Sequence, residues 1–362
     1  MFSNISIFVF LSLESFVYSI GHTYFRMDAF KRGQFKFRSL PRCLSLAIRS
    51  ISFERLDNRP LSNTPSLPRR RNGISADSYN EIRKLILQAP LPTAVLQRSP
   101  TKEFSLDDIG IPLAASSYYI LTLINECSTL VMFNKDHELC RIDLSNLLVL
   151  VHDLCWSSKL NMFLMAGYSL YTFNPRSCIL STIERITLAR GEWIVSITID
   201  SNSIYLLYSS RSARIECRSL FLLHTLEKQW LEKDFLRQTD FLAQCIRINQ
   251  WNILAMTIKQ KDGGWRVDLY DSNNLYRIHR GCSLGQGVPG MRNCLVMPYN
   301  RLWIVINNCS IPEQVILLDE NGRMKAKTHL DKPRGCFNLC LVGDEWIAMN
   351  VKDKLRLYKV QS

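Results

Sequence analysis

Arg266-Val-Asp-Leu-Tyr-Asp271 is a short β-forming run that closes on an aromatic residue and an acid suited to open a turn. The same phrase returns along the chain in other letters. Thr129-Leu-Val-Met-Phe-Asn134, Ser169-Leu-Tyr-Thr-Phe-Asn174 and Gln314-Val-Ile-Leu-Leu-Asp319 are three copies. Lys354-Leu-Arg-Leu-Tyr-Lys359 is a frayed one, with Lys at the turn position. A recurring strand with a turn residue at its end is the mark of a repeat architecture.

Around each copy the sequence divides into four short β-rich runs separated by turn residues. The first unit holds Ile111–Ala115, Tyr118–Ile124, Thr129–Phe133 and Leu139–Leu144; the second Leu150–Trp156, Leu160–Ala166, Ser169–Phe173 and Ile179–Ile186. The third has Trp193–Ile199, Ile204–Tyr208 and Arg214–Leu220, followed by Phe221–Trp230, which reads equally as a helical turn. The fourth has Ala243–Ile248, Ile253–Ile258, Trp265–Tyr270 and Leu275–His279; the fifth Asn293–Met297, Leu302–Ile306, Gln314–Leu318 and Met324–His329. The sixth has only three runs, Phe337–Val342, Trp346–Val351 and Lys354–Val360. Second strands recur every 44 to 50 residues, as Met162, Leu206, Leu254, Ile304 and Ala348 show. The pattern predicts an all-β fold, a β-propeller of about six four-stranded blades over residues 93–362. The count becomes seven if Pro90–Asp108 holds part of a divergent blade. A propeller must close its ring, and an N-terminal strand commonly completes the last blade, removing two sheet edges at once. Pro92–Leu96 and Thr101–Leu106 are the candidates for that strand. A sandwich would lack the recurring closing phrase, and a parallel α/β fold would need long helices between strands.

The repeat resembles a degenerate WD-repeat propeller over roughly residues 105–362. In that family the third strand of each blade ends in an aromatic–acid pair whose acid helps tie the turn to a histidine earlier in the blade. Phe133-Asn134, Phe173-Asn174, Tyr270-Asp271 and Leu318-Asp319 stand at that place here. The family's Gly-His pair is absent from the repeats, since Gly21-His22 is the one such dipeptide and precedes them. The resemblance implies a rigid platform whose loops bind proteins or peptides.

The net charge of +13 is unevenly spread. Residues 1–100 hold 15 Lys and Arg against 6 Asp and Glu, leaving 30 against 26 for the remainder. The basic surplus therefore belongs to the segment before the repeats, which rules against the repeats themselves as a nucleic-acid surface. Residues 1–92 read as a basic, mostly disordered segment with one short helix near 78–88, where Ile82, Leu85 and Ile86 form an apolar face and Pro90 and Pro92 stop it. Within it, Arg55 to Ala76 is a Pro-, Ser- and Arg-rich linker containing Arg69-Arg70-Arg71, a candidate nuclear-import or phosphate-binding patch for a partner. Residues 5–20 are apolar but interrupted by Glu14, with no preceding basic residue, so they make no confident membrane span. They point to secretion only if residues 1–21 form a signal peptide; Met27 is an alternative start, opening a basic leader. The twelve cysteines are scattered through apolar runs with no Cys-x-x-Cys pair, the pattern of reduced, buried thiols in a cytoplasmic or nuclear protein.

No motif carries chemistry. Gly285-Gln-Gly-Val-Pro-Gly290 has dinucleotide-loop spacing but precedes a β-run instead of a helix, so it reads as an inter-blade loop. The histidines fall in different units without metal spacing, and no nucleophile elbow or phosphate loop occurs. No cofactor or metal is expected. Trp251 and Trp265 flank a hairpin bearing Lys259 and Lys261, and an exposed member of the pair is the candidate contact for a partner. The expected function is a non-enzymatic protein- or peptide-binding scaffold on a monomeric propeller. The alternatives are an enzyme with a composite site at the channel and a nucleic-acid-associated protein acting through the basic arm.

Overall fold

A computed structural model describes residues 92–145, 150–183, 186, 188–189, 191–209, 213–286, 294–308, 314–329, 336–351 and 353–360. All lie in the compact unit Ile74–Ser362. The short helix expected near 78–88 and Arg69, Arg70 and Arg71 lie outside the described residues.

A helix α1 (Pro92–Leu96) and a strand β1 (Lys102–Ser105) precede six antiparallel sheets. Blade 1 is β2 (Ile109–Ala115), β3 (Ile120–Ile124), β4 (Thr129–Phe133) and β5 (Glu138–Asp143). Blade 2 is β6 (Val151–Ser157), β7 (Met162–Gly167), β8 (Leu170–Asn174) and β9 (Ile179–Thr182). Blade 3 is β10 (Ile194–Ile199), β11 (Ser203–Tyr208), β12 (Arg214–Ser219) and β13 (Leu226–Leu231), and a helix α2 (Glu232–Phe235) leads out of it. Blade 4 is β14 (Asp240–Ile248), β15 (Ile253–Gln260), β16 (Gly264–Asp271) and β17 (Arg277–His279), with β18 (Ser283–Gln286) also paired to β16. Blade 5 is β19 (Cys294–Tyr299), β20 (Leu302–Asn307), β21 (Gln314–Leu318) and β22 (Met324–His329). Blade 6 is β23 (Cys336–Val342), β24 (Trp346–Val351) and β25 (Lys354–Lys359), completed by β1.

Second and third strands lie between two neighbouring blades, so both their faces are covered. Ile120–Ile124 and Thr129–Phe133 are accordingly buried at every position. Outermost strands meet water, and Glu138–Asp143 alternates exposed and half-buried residues. Six apolar clusters fill six seams. Leu121, Leu130 and Phe163 join blades 1 and 2, Leu164 and Ile204 join 2 and 3, and Leu207 and Leu254 join 3 and 4. Val267 and Trp303 join 4 and 5, Ile304 and Ile347 join 5 and 6, and Phe133 and Leu355 join 6 and 1. The sixth seam closes the ring.

The first strands touch one another around the centre, and a repeated polar stitch ties them. Bulges in β6, β10 and β14 set Asp153, Ser196 and Cys245 at equivalent positions. Each bonds the same backbone residue of the following blade. The Ile197 amide donates to Asp153 Oδ2 at 2.9 Å, the Ile246 amide to Ser196 Oγ at 3.1 Å, and Cys245 Sγ donates to the Val296 carbonyl at 3.8 Å. The neutral amide-to-hydroxyl bond contributes about 1 kcal/mol, and the thiol is the weakest donor of the three.

The closing strand is β1, inside the Thr101–Leu106 candidate. Pro92–Leu96 is instead helical, and it buries Val95 and Leu96 against the seam of blades 5 and 6. With only a helix and one strand there, residues 92–108 hold no divergent blade, and the count is six. The ambiguous Phe221–Trp230 segment resolves into a turn and β13, a strand. Leu275–His279 shortens to β17, and Gly285 and Gln286, read as the start of an inter-blade loop, belong to β18.

Candidate functional site

Turns joining first to second strands and third to fourth strands share one face of the ring, because neighbouring strands run in opposite directions. On blades 3 to 5 this face carries large apolar side chains that water reaches. Trp251 occupies the turn between β14 and β15. Asn249 Oδ1 accepts the Trp251 and Ile253 amides, each at 3.0 Å, and Asn252 takes the left-handed conformation at φ 59°. The turn is thus fixed from within, and the Trp251 indole is left 42% exposed. The Arg301 guanidinium, from the equivalent turn of blade 5, lies 5.8 Å from its ring centroid. In the outer turn of blade 4, Leu275 is buried while Tyr276 is 72% exposed, its amide held by Asn274 Oδ1 at 2.8 Å. Phe221 and Leu222 stand exposed on the outer turn of blade 3, above buried Leu220. Lys228 Nζ donates to the Asn273 carbonyl at 2.6 Å and ties the two blades beneath these residues.

Of the tryptophan pair read from the sequence, the structure exposes Trp251 and buries Trp265. Trp265 is 3% exposed, sits on β16 and fills the seam with blade 5. It is a packing residue and has no surface to offer a partner. Tyr276, Phe221 and Arg301 were missed by sequence reasoning. Their signal is weak: an apolar or basic residue beside Asn or Ser in a turn.

At the centre of the ring the first strands carry an ion pair. Arg247 on β14 reaches past blade 3 to Asp153 on β6, with Nη1 2.7 Å from Oδ2 and Nη2 2.7 Å from Oδ1. Its Nη1 also lies 3.0 Å from Ser196 Oγ and 2.8 Å from the Ile246 carbonyl. Burial opposes the guanidinium charge, but Asp153 outweighs it and holds the Arg247 pKa above its ordinary value. The thiols of Cys155, Cys245 and Cys340 are all pushed upward, chiefly by burial, and stay protonated. Among the described residues, no group of three His, Cys, Asp or Glu side chains could hold a metal ion.

On the opposite face, His152, Tyr168 and Trp193 pack edge to face or tilted, with centroids 6.0 to 6.2 Å apart, and seal the seam of blades 2 and 3. His152 Nε2 finds no hydrogen-bond partner, and burial lowers the imidazole pKa to about 4, opposed by Asp153. The folded state therefore favours neutral His152. An unfolded chain takes up the proton near its ordinary value, so this contribution is complete above about pH 6.5 and is lost as pH falls toward 4. Urea midpoints measured from pH 7 to 4 are expected to fall less steeply for His152→Phe than for wild type. Parallel curves would show that His152 does not titrate in this window.

The turn-opening residues of the repeated phrase act locally. Asn134 Oδ1 accepts the Asp136 and His137 amides at 2.7 and 2.8 Å, and Asp319 Oδ1 accepts those of Asn321 and Arg323 at 2.9 and 2.8 Å. Asn174 and Asp271 do the same for Arg176 and Asn273. Each residue ties its own turn to itself, where the resembling family reaches for a histidine.

No family model matches the sequence, and no curated protein matches it. Among solved structures 1064 chains match. One belongs to "Crystal Structure of Mitotic Checkpoint Complex", with a TM-score of 0.51 at 10% identity, over 85% of this chain and all of that one. The likeness is one of fold: the chain is a six-bladed β-propeller. Among the described residues, no helix is long and apolar enough to cross a membrane.

Proposed function

We propose that this propeller is a non-catalytic scaffold that binds a protein or peptide partner through the turn face of blades 3 to 5, with Trp251 as the central anchor. The observation that carries the reading is the company Trp251 keeps: a half-open indole on a rigid turn, an arginine against its ring, and exposed Tyr276, Phe221 and Leu222 on neighbouring turns. Tryptophan, tyrosine and arginine dominate binding energy at protein interfaces because they bury large area at small entropic cost. The centre of the ring supports the same reading, since Asp153 and Arg247 satisfy each other there.

The test is quantitative capture from native lysate with the full chain, comparing wild type with Trp251→Ala and Tyr276→Ala. Truncating an anchor costs about 2 kcal/mol or more, roughly a thirtyfold loss of affinity. Partners held by wild type should be depleted at least tenfold by Trp251→Ala, while its urea midpoint stays within error of wild type. Equal recovery of every partner by both variants would remove this face from the binding surface.

A further inference from the structure

Blade 4 carries a second concentration of charge, at its seam with blade 3. Asp240 at the start of β14 and Arg266 and Asp268 on β16 are all buried. Arg266 Nη2 lies 2.8 Å from Asp240 Oδ2 and its Nε 3.0 Å from Asp268 Oδ1, so one guanidinium bridges two carboxylates. Three more arginines stand outside this core. Arg277 on β17 shares Asp268 at 3.6 Å. Arg237 gives its backbone amide to Asp240 Oδ2 at 2.7 Å, which anchors it beside the core. Arg280 adjoins Gly281, whose amide donates to Asp268 Oδ1 at 3.2 Å. A Cβ on Gly281 would lie 1.2 Å from the Val267 carbonyl oxygen, so only glycine lets the chain run this close to β16 and hold Arg280 there.

The charge does not balance. Four arginines gather at two carboxylates, and the two carboxylates are spent on Arg266, Arg277 and backbone amides. Among the described residues no carboxylate bonds the side chain of Arg237 or Arg280. Burial, then the repulsion of Arg277, Arg280 and Arg266, lowers the Arg237 pKa, with Asp268 opposing. A surplus of two positive charges, presented as planar forks, fits an oxyanion of charge near −2.

We propose that Arg237, Arg277 and Arg280 form an oxyanion-binding site for a phosphorylated side chain of a partner peptide. A phosphoserine or phosphothreonine carries close to −2 at neutral pH and offers three acceptor oxygens, whereas an Asp or Glu side chain would leave one guanidinium uncovered. Residues 101–362 hold 30 basic against 26 acidic side chains, too small a net surplus to make the blades as a whole an extended basic tract. A polyanionic backbone or an anionic bilayer needs such a tract; a single phosphoryl group does not. The site is separate from the Trp251 face and does not rest on it.

The test uses the full chain against a degenerate peptide pool with a fixed phosphoserine or phosphothreonine, the same pool unphosphorylated, phosphatidylserine vesicles and single-stranded oligonucleotide. Wild type should retain the phosphorylated pool at least tenfold better than the unphosphorylated one. Arg237→Gln combined with Arg280→Gln should abolish the preference without lowering the thermal midpoint, since Arg266 and both acids stay in place. Inorganic phosphate should raise the midpoint of wild type above that in chloride at equal ionic strength, and leave the double variant unmoved. No preference for the phosphorylated pool, or a preference kept by the double variant, overturns the proposal. Binding that goes to vesicles or oligonucleotide alone overturns it as well.

Discussion

Arg247→Met is expected to lower stability by about 3–5 kcal/mol, as a large fall in urea midpoint. Asp153 is 6% exposed, and its two oxygens meet Arg247 at 2.7 Å each. The Leu154 amide, the Ile197 amide and Ser196 Oγ also bond the carboxylate, but none of them brings a positive charge. Removing the guanidinium leaves an anion in the ring's centre, away from water, and undoes the tie between blades 4 and 2. The pair itself is a different quantity. Two ions taken out of water recover their desolvation cost only in part, so Arg247→Met with Asp153→Leu is expected to regain much of what the single change loses. A double-mutant cycle separates the two, and its coupling should be favourable by more than about 1 kcal/mol. A single variant within 1 kcal/mol of wild type would mean that water reaches Asp153. Additive costs would mean that the two side chains act independently.

That pair also marks where the sequence stopped being readable. The partners lie 94 residues apart, and each is the one charged residue of a short stretch, in Val-His-Asp-Leu-Cys and Cys-Ile-Arg-Ile-Asn. What joins them is a bulge that turns Asp153 inward and a side chain long enough to pass a whole blade, and neither has a local signature. The blades were legible for the opposite reason. Their signal is short-range: a β-run, a turn residue whose side chain bonds the next amides, and a spacing that repeats. Strand β13 was ambiguous because Leu-Glu-Lys-Gln-Trp-Leu is an outermost strand in water and shows no apolar alternation. Pro92–Leu96 misled because a short, mostly apolar run, Pro-Thr-Ala-Val-Leu, suits a buried strand and a buried helical turn equally. Trp251 and Trp265 divided as their neighbours imply, one among Asn and Gln in a turn, the other inside a strand buried on both sides.

A fragment of residues 108–362 is expected to self-associate at micromolar concentration, where residues 92–362 remain monomeric by light scattering. The difference between them is α1 and β1. Strand β1 pairs Lys102 to Ser105 against Leu357 to Lys354, and flanking bonds run from the Thr101 amide to the Leu357 carbonyl and from the Leu106 amide to the Asp353 carbonyl, both 2.8 Å. Phe104 meets Phe133 at 5.1 Å between centroids, and Leu106 is buried in the seam of blades 6 and 1. Without these residues β25 becomes an open edge carrying Leu355 and Leu357, both fully buried in the ring. An edge of that kind pairs with another chain. Its terminal residues Lys354 and Lys359 resist such pairing at the two ends only. Losing the Leu106 side chain alone, as Leu106→Ala, should cost about 2–5 kcal/mol through the cavity it leaves. The full deletion should cost more, because it also strands a row of backbone hydrogen-bonding groups. Leu106→Ala keeps the backbone pairing, so it should be less stable yet still monomeric. A monomeric 108–362 fragment with an unchanged thermal midpoint would show that blade 6 stands on three strands and that the ring does not depend on its first residues to close.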